Sequence, residues 1–422
     1  MLRFTKDNLK ILNKGIIKNK PMKKRVYILV GVVIFLVVAG FITKAIIEKV
    51  TRDITEREVR RITGGEVDRI TQSEIDRITE QKTDEIMQRM GMSTTKALKD
   101  IPCDKITSPR QFSSSAYYSG PLIDSHLHMP FTFDVPKAMY AQADYDGAVL
   151  EKEVAAGSIF CMFDNTGVTS AYGFYVSPNL LKVQAVNAIT EVDAQFTGRI
   201  TPFIMSAHVT TLNLQPSDVE SVLNANPGLF KGYGELGLYK DAYLGTKPDD
   251  ESLRPFYDIA AKHNLIVMMH PDDGQREAVE TILKDYPMVQ FLFHGPEVGT
   301  YAAEIVATYP NAFYTTDTQL SDIPEEHESV NLFGDKTKET FVANFKRDHD
   351  RVLAGAINAW KNEIKKNPDK FLWGTDRASV WHFDPEVGAL LDEIGREFIG
   401  QLDPAVQEKF AYKNAERLLQ ER

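Results

Sequence analysis

The sequence predicts an α/β fold: a (β/α)8 TIM-type barrel, preceded by an N-terminal transmembrane helix and a repetitive stalk. Three observations predict it. From about residue 93, short apolar runs alternate with longer, charged, helix-like segments, which implies parallel βα units. Eight such runs (122–124, 158–163, 200–205, 232–238, 265–270, 289–294, 312–316 and 371–376) occupy about 250 residues, enough to close a barrel. Five of the eight carry His, Asp or Glu at or near their C-terminal ends, where barrel active sites lie. A doubly wound open sheet is the alternative, but no glycine-rich phosphate loop follows the first run.

The elements follow in order. Residues 1–25 form a basic tail that includes Lys18, Lys20, Lys23, Lys24 and Arg25. Residues 26–47 are read as a signal anchor. Its first 18 residues, VYILVGVVIFLVVAGFIT, carry no charge and approach the roughly 20 needed to span a bilayer as a helix. A cleaved signal peptide has a shorter apolar core of about 7–15 residues and a small-residue cleavage site, which is not evident here. The basic flank keeps the N-terminus in the cytoplasm and places the rest outside. The expectation is therefore a single-pass membrane protein.

Residues 48–92 repeat. Ile54, Ile62, Ile70, Ile78 and Ile86 recur every eight residues, and Val59, Val67 and Ile75 share the period. On a helix each octad rotates the apolar stripe by about 80°. A heptad drifts by only about 20°, so this is no ordinary coiled coil. Gly64-Gly65 also weakens a continuous helix. The segment reads as a spacer, and as the route by which the chain would form a homo-oligomer.

Charge is uneven along the chain. Residues 1–50 hold 11 Lys and Arg against 2 acidic residues, while the remainder holds 38 against 57. The globular part is thus acidic, which argues against nucleic acid as a partner. The two cysteines, Cys103 and Cys161, make no disulfide framework. Cys161 sits in the apolar run 158–163 and reads as a buried small hydrophobe.

The strand ends carry the chemistry. The first run continues IDSHLH, with Asp124, His126 and His128. The fourth holds Glu235, the fifth ends in His270, the sixth in His294 and the eighth in Asp376. His126 and His128 are two apart, so on a strand both imidazoles face one side and reach one cation. Four imidazoles and two carboxylates suit a borderline divalent metal: zinc, manganese or iron(II). Singly each residue has a plainer reading. His270 alone would be a hydrogen-bonded structural histidine, and Asp376 alone a helix cap. The joint pattern decides for a metal site. Tyr239, Asp272, Asp273, Arg377 and Trp381 lie just past strand ends; Tyr239, Asp272, Arg377 and Trp381 are taken as substrate contacts. His208 and His382 are pocket candidates, His263 a surface residue, and His327 and His349 solvated ones.

With these residues, the sequence resembles the amidohydrolase superfamily, in particular its amidohydrolase-2 and TatD-like branches. The resemblance covers about residues 120–422, and KNAERLL, with Asn414 and Arg417, is similar to the closing helix of many members. It implies that His126, His128 and Asp376 hold one metal ion, that His270 and His294 hold a second, and that Glu235 bridges them where many relatives use a carboxylated lysine. It implies a metal-activated water as nucleophile, with Asp376 as general base and then acid. The substrate would be a small-molecule amide, ester or lactone. One metal instead of two would suit a decarboxylase of the same superfamily. GELGL is also similar to TatD-like nucleases, so a phosphoesterase is a further alternative, though an acidic exported domain fits it poorly. A non-catalytic surface binding module is the last alternative.

Overall fold

In the computed structural model, eight strands form one parallel sheet in sequence order: β1 (Leu122–Met129), β2 (Val168–Val176), β3 (Ile200–Met205), β4 (Gly232–Gly237), β5 (Ile266–His270), β6 (Phe291–Phe293), β7 (Ala312–Thr315) and β8 (Phe371–Leu372). The structure describes residues 112, 116–133, 153–177, 182–206, 214–239, 246–317, 337–377 and 379–420. The expected membrane helix at 26–47, the stalk, His208 and His327 lie outside them. Among the described residues, no helix is long and apolar enough to cross a membrane. The described residues belong to one compact unit, Thr94–Arg422.

Strands buried on both faces read as near-continuous apolar runs, and β5 to β8 do so here. Helices pack outside: α1 (Ala156–Thr166), α2 (Lys182–Gln195), α3 (Pro216–Ala225), α4 (Arg254–His263), α5 (Arg276–Asp285), α6 (Ala302–Thr308), α7 (Lys338–Lys366), α8 (Pro385–Gly400) and α9 (Asn414–Gln420). Asn414 ties α9 beneath β8, its side-chain amide donating to Pro368 O and Phe371 O at 2.8 Å.

The barrel is nearly closed. β1 and β8 form no regular ladder. They meet through Ser125 N–H to Trp373 O (3.0 Å), Asp376 N–H to His126 O (2.8 Å) and a parallel bridge between Leu127 and Arg377. Side chains reinforce this seam. Buried Asp124 accepts from His126 N–H (3.1 Å), Thr375 N–H (3.0 Å) and the Thr375 hydroxyl. Arg377 donates from Nε to Thr375 Oγ1 (3.2 Å) and pairs with Asp392 of α8.

One predicted strand is a helix. The run 158–163 lies inside α1, and the second strand is Val168–Val176. A short apolar run cannot distinguish a buried strand from a buried helix by periodicity. Ile159, Phe160, Met162 and Phe163 form the helix's buried face, and Gly167 ends it in a left-handed conformation (φ 73°). Cys161 also departs from expectation. It is only half-buried and is disulfide-bonded; Cys103 is the other cysteine of the chain.

A strap leads into β1 across α8. Phe112 N–H donates to Glu393 Oε1 (2.8 Å), and Tyr118 N–H to Arg396 O (2.9 Å). The buried Arg396 guanidinium donates to the carbonyls of Tyr118, Gly120, Thr166 and Gly167 at 2.8–3.1 Å. It thereby joins the strap to the C-terminus of α1, whose end carbonyls favour a cation. Replacing Arg396 by Met leaves these buried carbonyls without a donor. We expect a loss on the order of 3 kcal/mol in urea unfolding, since each orphaned group costs about 1–3 kcal/mol. An unchanged midpoint would contradict this role.

Candidate metal centre

β1 alternates sides, so His126 and His128 both enter the barrel mouth, with Phe174 of β2 beneath them (ring centroids 5.1 and 6.2 Å). Glu235 on β4 meets all four predicted histidines. His128 Nε2 lies 3.1 Å and His126 Nε2 3.6 Å from Glu235 Oε2; His294 Nε2 lies 2.8 Å and His270 Nδ1 3.5 Å from Oε1. Asp376 completes the ring from the opposite side of the seam. Its Oδ1 is 3.0 Å from His128 Nε2 and 3.4 Å from His126 Nε2. Its left-handed backbone (φ 48°), which Asp tolerates better than most residues, turns the chain out of the barrel there. All six predicted ligands therefore converge.

Two further carboxylates stand behind the histidines. Asp317, buried beyond β7, lies 2.6 Å from His126 Nδ1 and 3.5 Å from His294 Nδ1. Glu297 lies 2.7 Å from His270 Nε2. Outer carboxylates of this kind fix the ring orientation and tautomer of metal-ligating histidines. Sequence reasoning missed both. Asp317 had a signal: it follows the predicted strand 312–316 directly, as Asp376 ends its own. Glu297 had none, because a single helical turn (Pro296–Gly299) after His294 brings it back.

The electrostatics follow from burial and pairing. Desolvation opposes charge on His128, but hydrogen bonds to Asp376 and Glu235 outweigh it and push its pKa up to about 10. His126, His270 and His294 are raised as well, each against desolvation, by the neighbouring carboxylates. Glu235 is held well below the carboxylate range despite burial, by His294 and the other imidazoles. Asp317 is lowered in the same way by His294 and His126. Burial pushes Asp124 up to about 7, with Arg377 and Thr375 acting against it.

The residues fit a divalent cation. His126 Nε2 is buried and makes no hydrogen bond, although it faces two carboxylate oxygens. Such an orphan costs about 1–3 kcal/mol unless something binds it. Ligand atoms within 4.8 Å of one another occur in three overlapping groups: His126, His128 and Glu235; Glu235, His270 and His294; and His126, His294, Asp317 and Asp376. Glu235 is shared by two of them. Imidazole and carboxylate donors suit zinc, manganese or iron(II).

A family model for amidohydrolases matches residues 123–420, nearly the whole described unit. The chain belongs to the amidohydrolase family. No curated protein matches this amidohydrolase. Several solved structures resemble it at low identity. A probable 2-pyrone-4,6-dicarboxylic acid hydrolase from Acinetobacter baumannii, with citric acid bound, is 13% identical over 71% of this chain and 99% of its own, with a TM-score of 0.44. An amidohydrolase from Burkholderia multivorans with bound zinc is 12% identical over 71% and 99%, with a TM-score of 0.46. A 4-oxalomesaconate hydratase from Rhodopseudomonas palustris is 12% identical over 71% and 96%, with a TM-score of 0.44.

The predicted substrate contacts of the amidohydrolase fare unevenly. Tyr239 is placed at the site, its ring 4.7 Å from that of His270. Arg377 is not. It is fully buried and committed to Thr375 and Asp392. The chain turns at the left-handed Asp376, and the Arg377 side chain leaves toward Thr375 and Asp392 while the Asp376 carboxylate faces the histidines. Asp272 shapes the turn before α5: its N–H donates to Gln275 Oε1 (3.0 Å), and its carboxylate accepts from Asp273 N–H (2.9 Å). Trp381 packs on Phe341 and His382. His382 itself is buried and accepts from Ser379 N–H.

His349, expected to be solvated, is buried: Phe112 stacks on it at 3.5 Å, and its Nε2 lies 2.6 Å from Glu397. The charged run around it masks the buried stripe of α7, which Phe345, His349 and Val352 share. His263 is partly buried at the end of α4.

The raised histidine pKa values carry a prediction. Ligation needs a free lone pair, so a cation must displace the proton that the raised pKa of His128 keeps on its ring at neutral pH. Zinc affinity should rise with pH between 6 and 9 (roughly the span below the raised His128 value) and binding should release protons. Calorimetry in buffers of differing ionisation enthalpy reads this directly. Binding without proton release would refute it.

Proposed function

We propose that this amidohydrolase is a metal-dependent hydrolase of a small-molecule amide, ester or lactone, using one or two divalent ions, zinc before manganese or iron. The observation that carries the reading is the convergence of His126, His128, Glu235, His270, His294 and Asp376 in overlapping groups whose ligand atoms lie within 4.8 Å of one another. A bound divalent cation supplies Lewis-acid polarisation of a substrate oxygen and makes water acidic near neutral pH.

The chain's own groups divide the remaining tasks. His126 and His128 would hold a cation with Asp376, and His270 and His294 with the shared Glu235. Asp317 and Glu297 are committed to imidazole nitrogens and so are poor proton acceptors. Asp376, although it also faces His128 (3.0 Å), is the carboxylate to which the resemblance to amidohydrolases gives the proton transfer. It accepts the proton of the attacking water and returns it to the leaving group. Phe174 and Phe203 form an apolar floor that limits water from below. Tyr239 stands where it can flank a substrate beside His270.

We also place the domain outside the cytoplasm, tethered by 26–47. The uncharged segment with its basic flank supports this, as does the disulfide at Cys161, since such bonds persist in oxidising compartments. The denatured chain should take up no thiol reagent until it is reduced, and then label at two cysteines. Labelling before reduction would remove this support.

The test of function is metal content and turnover of the purified full-length chain against panels of amides, esters and lactones. Asp376→Asn should lower turnover by about 10²–10⁴-fold, the usual worth of a general acid–base. His126→Ala/His128→Ala should lose metal. A single ion with release of carbon dioxide would favour a decarboxylase. No bound metal after zinc or manganese loading would sink the catalytic reading.

A further inference from the structure

His270 differs from the other histidines in how it is held. Asp317 stands at the Nδ1 edge of both His126 and His294, leaving their Nε2 atoms toward Glu235. At His270 the order is reversed. Glu297 Oε2 lies 2.7 Å from Nε2, and Nδ1 faces Glu235 Oε1 at 3.5 Å. A neutral imidazole offers a lone pair at one nitrogen only, and the partner of the N–H at the other decides which.

The surroundings of Glu297 are built for this contact. Gly295 has a left-handed backbone (φ 101°), and a β-carbon there would fall on His270 Nε2. Its carbonyl accepts from the Tyr314 hydroxyl of β7 (2.8 Å) and from Gly299 N–H (3.1 Å). The turn that carries Glu297 is thereby pinned to the barrel, close against the ring edge. Tyr239 packs against the same imidazole at 4.7 Å. The Glu297 side chain is 26% exposed, so nothing in core packing requires a carboxylate there.

We infer that Glu297 is a positioning residue: it accepts the Nε2–H of His270 and so presents Nδ1, the nitrogen facing Glu235, to a divalent cation. The inference rests on the metal-centre reading above. It assigns opposite tautomers within one cluster, Nε2-ligating for His126 and His294 and Nδ1-ligating for His270. Outer-sphere partners of this kind are worth about 10- to 100-fold in metal affinity.

The test uses the full-length chain, with zinc itself as the probe. Zinc affinity is measured by competition with a chromophoric chelator. The His270 tautomer is read from long-range proton–nitrogen correlation spectra of histidine-labelled protein, with and without zinc, at a pH where the ring is neutral. In the wild type the hydrogen should sit on Nε2. Glu297→Ala should mix the tautomers and weaken zinc binding about 10- to 100-fold. Glu297→Gln should stay within a few-fold of wild type, because its amide oxygen still accepts Nε2–H. Gly295→Ala should mimic Glu297→Ala by pushing the ring off the carboxylate.

Glu297→Ala with unchanged tautomer and affinity would overturn the inference, as would Gln and Ala variants that weaken zinc equally. If the wild type takes up no zinc, the metal reading fails separately. The tautomer spectrum then decides alone: Nε2–H upholds the positioning role and Nδ1–H overturns it.

Discussion

The seam between β1 and β8 is the constraint on which the site depends. A parallel barrel must bring its last strand back to its first, and here the two share almost no ladder. Asp124 does much of the joining. It is buried, it takes two hydrogen bonds from Thr375 across the seam and one from His126 N–H within β1, and it holds Thr375 where Arg377 can reach the same hydroxyl. Asp376 lies between those two anchors. Its N–H is bonded to His126 O, so its carboxylate is set against the imidazoles of β1 by the backbone itself. Closing the barrel and completing the ligand ring are one event.

The cluster illustrates how a buried polar group is justified. Without a ligand, imidazoles and carboxylates partly satisfy one another, and the histidine pKa values rise accordingly. The compensation is incomplete, since His126 Nε2 faces its two carboxylates at 3.4 and 3.6 Å without a hydrogen bond. Buried networks that are only partly satisfied are costly. A protein keeps such a group where something else binds it, and the donors here match a divalent cation. The outer carboxylates Asp317 and Glu297 stand against the far nitrogens of His126, His294 and His270 and oppose rotation of those three rings.

Much of this was legible beforehand. Seven of the eight predicted runs overlap observed strands, because parallel barrel strands are apolar throughout and helices between them are charged outside. That these six side chains meet was legible because strand ends of such a barrel face a common mouth. The run around Cys161 failed because five apolar residues in a row fit either element. His349 failed because local charge hid a helical stripe. Arg377 failed because the left-handed turn at Asp376, which sends the next side chain to Asp392, leaves no mark in the local pattern. Asp317 was overlooked although it shares the strand-end signature of Asp376.

The sequence by itself determined the fold class, the alternation of elements and the identity of the inward-facing ligands, since these depend on local periodicity and on position along a strand. Tertiary structure decided what depends on the meeting of distant segments. It chose which nitrogen of each histidine faces Glu235, set Glu297 behind His270 through a glycine turn, and turned Arg377 away to Asp392. Those choices rest on contacts between residues far apart in the chain, or on the direction a turn takes, and no local pattern encodes either.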